Sequence, residues 1–64
     1  MFVFTWIDSN MRKNDLTIKD PVGALRFYGV LNRYGNAHGL KVMYKTEEVE
    51  AQVVFVNGKV IAVT

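Results

Sequence analysis

The chain has 64 residues, a formal net charge of +2 and no cysteine, and half of its side chains are apolar. This excludes a disulfide scaffold, a thiolate zinc site, an iron–sulfur cluster and a cysteine nucleophile. A chain of this length buries only about 60% of the surface its unfolded form exposes, so the expectation is one compact domain over residues 1–64 with a narrow stability margin. Apolar content of 50% with 12% aromatics argues against disorder. The N-terminal run begins apolar and meets Asp8 without a basic lead, unlike a secretory signal. No segment approaches the roughly 20 apolar residues that span a bilayer. The expected setting is cytoplasmic, away from membranes.

The first strand is expected over Phe2–Ile7, a β-branched and aromatic run ended by the turn-forming Asp8, Ser9 and Asn10. Alternation puts Phe2, Phe4 and Trp6 on one face and Val3, Thr5 and Ile7 on the other, which suits a central strand. Residues 11–15 are polar and read as an exposed loop, and residues 16–18 as a short return strand. Asp20 and Pro21 form a helix start, with Asp accepting from an early backbone N–H and Pro giving up a donor that lacks a helical partner. Gly35 and Asn36 supply the stop, so the helix is expected over residues 21–34. Helical spacing gathers Ala24, Phe27, Tyr28, Leu31 and Tyr34 on its inner side and sets Arg26, Gly29 and Arg33 opposite. Strands are then expected over residues 40–45, 49–56 and 59–63. Asn57 and Gly58 between two apolar runs specify a tight hairpin, with Val56 opposite Lys59, Phe55 opposite Val60 and Val54 opposite Ile61. The fold class is therefore α+β: a single helix on one face of a four- to five-stranded, mainly antiparallel sheet, in the order β(β)αβββ.

That hairpin register has a consequence for association. One face carries Val49, Ala51, Val53, Phe55, Val60 and Ala62; the other carries Gln52, Val54, Val56, Ile61 and Val63, with Glu50 and Lys59 at the ends. One helix covers one face of a sheet. Val54, Val56, Ile61 and Val63 are thus the candidate protein interface, since contiguous exposed apolar surface marks association sites. The competing arrangement is a strongly curled sheet that buries both faces. Trp6 is a further candidate anchor, with core packing as its alternative role.

Charge is unevenly distributed. Arg12, Lys13, Lys19, Arg26, Arg33, Lys41 and Lys45 dominate the middle of the chain, and Glu47, Glu48 and Glu50 the start of its last third. Lys19, Arg26 and Arg33 recur at seven-residue intervals, and Arg12 and Lys13 could extend them into a nucleic-acid contact. Aromatic rings for base stacking would have to be surplus to the core, with Tyr28, Tyr34 and Tyr44 as candidates. His38, the sole histidine, lacks a recognisable catalytic or metal-ligand cluster, and the acidic residues lack calcium-loop spacing. The expectation is a non-enzymatic module without cofactor, metal or small-molecule substrate. It binds another protein or itself as a homo-oligomer, as small regulators or inhibitors of viral or mobile-element type do; nucleic acid is the alternative partner. A sheet edge could serve as well as a sheet face, because strand addition gives affinity through main-chain hydrogen bonds.

Overall fold

Apolar alternation at a period of two and one amphipathic helical stretch yield five strands and a helix in the computed structural model, which describes residues 1–34 and 37–63. In chain order these are β1 (Phe2–Ile7), β2 (Lys13–Ile18), α1 (Pro21–Tyr34), β3 (His38–Lys45), β4 (Glu50–Val56) and β5 (Lys59–Val63). The strands form one antiparallel sheet in the order β2-β1-β3-β4-β5. The α+β class and the antiparallel sheet are as the sequence indicates. The expected helix stop at Gly35 and Asn36 lies outside the described residues.

β2 is longer than expected: it begins at Lys13, so residues 13–15 are strand rather than loop. The cause is the turn before it. The Asp8 carboxylate accepts from the backbone N–H of Asn10 at 2.9 Å and of Arg12 at 3.0 Å through Oδ1, and from Asn14 Nδ2 at 2.9 Å through Oδ2. Asp8 N–H also donates to the Arg12 carbonyl at 2.9 Å, and Met11 N–H to the Asp8 carbonyl at 3.0 Å. A polar segment is thereby held in register against β1, with Trp6 opposite Asn14 and Ile7 opposite Lys13. These bonds hold the Asp8 carboxyl below its ordinary pKa, the Asn14 contact contributing most.

β3 begins at His38, two residues earlier than expected. The early start rests on a β-bulge: β1 pairs Thr5 with Lys41 but Ile7 with His38, so Gly39 and Leu40 both face Trp6. Gly39 has a φ of +59°, the left-handed conformation that such a bulge requires. β4 begins at Glu50, one residue later than expected, after a turn tied by Thr46. The Thr46 Oγ1 accepts from Glu48 N–H at 3.2 Å and Val49 N–H at 2.9 Å.

Asp20 caps the helix as expected, its Oδ2 accepting from Gly23 N–H at 2.9 Å. A Cβ on Gly23 would stand 3.3 Å from Ile18 Cγ2, so glycine lets α1 start close against the end of β2. Because β2 and β3 flank β1, the helix that connects them must cross over β1. Phe27 accordingly packs edge-on against Phe4 and Trp6, with ring centroids 5.0 and 5.6 Å apart, and Tyr28 reaches Phe55 at 4.9 Å. The core is Phe2, Phe4, Val42, Val53 and Phe55 from the sheet with Ala24 from the helix. Tyr34 departs from expectation: it is 68% exposed rather than part of the inner helix face. It stands at the last helical position, beyond the ring cluster that Phe27 and Tyr28 complete.

Candidate functional site

Pairing register sorts the side chains of the two sheet faces. Phe2, Phe4 and Trp6 share the helix-covered face with Val42, Tyr44, Ala51, Val53, Phe55, Val60 and Ala62. The open face then carries Val3, Thr5 and Ile7 on β1, Lys13, Asp15 and Thr17 on β2, Lys41, Met43 and Lys45 on β3, and the alternate residues of β4 and β5. It is less uniformly apolar than the hairpin alone suggests. Its β2-β1-β3 half carries lysines and threonines, with Lys45 Nζ 3.8 Å from Glu50 Oε1. Its β4-β5 half gathers Val54, Val56, Ile61 and Val63, between 37% and 45% exposed. The structure thus places the four expected interface residues together on one uncovered patch.

Trp6 stands apart from that patch. It lies on the helix side, half-buried against Phe27, and so on the opposite face of the sheet from Val54 and Ile61.

The strand order brings out a further feature. Every residue of β5 is exposed, including Val60 and Ala62 on the face that the helix covers elsewhere. β5 lies three strands from β1, about 14 Å at 4.8 Å per strand, and a helix with side chains is only about 10–12 Å wide. A helix required to cross over β1 therefore stops short of β5. Among the described residues, this outermost strand is apolar on both faces and has one edge unpaired. The signal for this lies in strand order, which periodicity does not carry.

The basic residues considered for nucleic acid do not converge on one surface. Arg26 and Arg33 lie on the outer side of α1, beside a depression of about 290 Å³ that Gly29, Val30 and Tyr34 also line. Lys13 is on the open face of β2, across from Ile7. Arg12 sits in the β1–β2 turn, and Lys19 is exposed just before the helix. Among the aromatic residues, Phe2, Phe4, Trp6, Phe27, Tyr28, Tyr44 and Phe55 all pack in or against the core, leaving Tyr34 as the exposed ring.

A depression of about 430 Å³ lies at the β2-β1-β3 end of the sheet between Thr5, Trp6, Lys13, Asp15, Gly39 and Lys41. Its polar groups are Lys13, Asn14, Asp15 and Lys41 beside Thr5, with Asp15 directly across the strand pair from Thr5. Among the described residues, no cluster of three or more His, Asp or Glu side chains is placed to hold a metal, and no buried side-chain polar atom lacks a partner. Among those residues, too, no helix is long and apolar enough to cross a membrane. Comparison with protein families, curated proteins and solved structures finds no match for this chain.

Proposed function

We propose that this chain is a non-enzymatic protein-binding module, a regulator or inhibitor of the protein it engages, with the β4–β5 hairpin as its contact surface. One observation carries this reading: β5 is exposed along its full length, with apolar side chains on both faces and a free edge. Such a strand is a template for pairing, and monomeric proteins usually blunt it with charge, proline or a bulge. β5 has Lys59 as its one charge, at the turn end. Val54, Val56, Ile61 and Val63 extend the surface onto the open face, so an added strand or loop would gain both main-chain bonds and side-chain burial.

Nuclease-treated affinity capture from source-cell lysate tests this reading against nucleic acid. The expected result is capture of a defined protein by the wild-type chain, lost with Ile61→Lys or Val54→Lys and kept when Arg26 and Arg33 are both changed to Ala. Capture abolished by nuclease and by the double arginine change, but indifferent to Ile61→Lys, would instead assign the function to a nucleic-acid contact.

A further inference from the structure

The two edges of the sheet are chemically unlike. β2 forms one edge, where Lys13, Asn14 and Asp15 precede Leu16 and Lys19 follows the strand. Charges so placed discourage strand addition. β5 forms the other edge and offers Val60, Ile61, Ala62 and Val63 beyond its single Lys59.

The hairpin turn decides which backbone groups of β5 are free. Asn57 and Gly58 have φ of 50° and 73°, the geometry of a two-residue type I′ turn. Val56 and Lys59 flank it as partners, and the turn's hydrogen bond runs between them. Bonded and non-bonded pairs alternate along an antiparallel ladder. Lys59, Ile61 and Val63 therefore direct their N–H and C=O groups toward β4, and Val60 and Ala62 direct theirs outward.

Resting on the protein-binding reading above, we propose that the occupant of this edge is a second copy of the chain, added antiparallel along β5 about a two-fold axis at Ile61. The strand is self-complementary in that register. Val60 faces the second copy's Ala62 and Ala62 its Val60, so the outward N–H and C=O groups of both strands bond each other. Ile61 faces the second copy's Ile61 in the closer, non-bonded type of pair, and Lys59 faces Val63. The two lysines are separated by four residue steps, about 13 Å, so the strand's only charge does not oppose itself. Stacking the open faces instead would bury Lys13, Lys41, Lys45 and Lys59 with only Asp15 and Glu50 to offset them, an arrangement that desolvation disfavours. A five-residue strand pair buries well under the roughly 800 Å² per partner of a stable interface, so the dimer is weak and reversible.

Sedimentation velocity of the full chain, from low micromolar to millimolar, tests the proposal. The expected result is a reversible monomer–dimer equilibrium. Ile61→Lys and Ile61→Glu each raise the Kd by about tenfold or more, and an equimolar mixture of the two variants dimerises again, because only this register sets residue 61 opposite itself. Ala62→Pro removes an outward N–H without taking a bond from β4, so it abolishes the dimer while circular dichroism and thermal unfolding show the fold retained. A chain that stays monomeric to millimolar concentration overturns the proposal, as does a dimer indifferent to the residue 61 variants and to Ala62→Pro. If the chain is monomeric but capture of another protein still depends on Ile61, self-pairing fails and the protein-binding reading stands. If the dimer forms as described and capture ignores Ile61, self-pairing stands and that reading fails.

Discussion

Replacing Met11 by glycine should stabilise the fold, and the size of the effect follows from the β1–β2 turn. Met11 has a φ of 62°, the left-handed region, at the last position of a turn closed by its own N–H on the Asp8 carbonyl. A side chain bearing a Cβ costs roughly 1–2 kcal/mol there. The side chain is 81% exposed, so trimming it sacrifices little burial. Against the relief stands the greater freedom of glycine in the unfolded chain, roughly 0.5–1 kcal/mol. Taken at the middle of each range, the difference leaves Met11→Gly more stable by about 0.75 kcal/mol. For a domain of this size that raises the Tm by about 3–6 °C. Thermal unfolding followed by circular dichroism at low micromolar concentration, where self-association does not contribute, measures it. Met11→Asn should move in the same direction by less, because asparagine tolerates this conformation, and Met11→Val should lower the Tm. A glycine variant that melts below the wild type, or a valine variant that matches it, would refute the argument from backbone strain.

Two further outcomes are expected from the same physical reasoning. Gly29 lies on the exposed side of α1, where an added Cβ would meet nothing within 4 Å; Gly29→Ala should therefore add about 0.5–1 kcal/mol of stability, read from the urea midpoint at unchanged m-value. The Asp8 carboxyl has a lowered pKa in the folded state, so its contribution to stability is present above the unfolded value of roughly 4 and is lost as pH falls through the lower folded value. Urea unfolding between pH 6 and pH 2 should show wild-type stability falling toward the acid end, with a shallower fall for Asp8→Ala, which starts less stable at pH 6. Parallel pH profiles for the two proteins would mean that the turn bonds of Asp8 do not persist in solution.

Local features carry most of the fold in the sequence. Asn57 and Gly58 specify a two-residue turn whose geometry admits one register, and the observed pairing of Val56 with Lys59 is the expected one. Asp20 and Pro21 define the helix start by the same kind of local chemistry. What is not legible depends on partners distant in sequence or on turn bonds. Residues 13–15 have no strand pattern of their own and are held extended by Asp8 and by β1. The bulge that brings His38 into β3 follows from Gly39 meeting Trp6 across the sheet.

The candidate site divides along the same line. Val54, Val56, Ile61 and Val63 sit on one face because alternation puts them there, and the uncovered state of that face follows from the single helix. The exposure of Val60 and Ala62 cannot be read this way. It arises because β2-β1-β3 order fixes α1 over β1, leaving β5 at the far edge. Trp6 is ambiguous in the sequence for a related reason: alternation assigns its face, but not which face the helix takes.

Residue-level amide hydrogen exchange by NMR, recorded as a function of protein concentration, addresses the free edge of β5 most directly. Slow exchange is expected at Ile61 and Val63 throughout, because β4 holds them. Val60 and Ala62 should exchange fast in dilute solution and slow progressively as the concentration rises, this alternation identifying the edge as a pairing surface. Fast exchange at Val60 and Ala62 at every concentration, or protection already complete in dilute monomer, would contradict it.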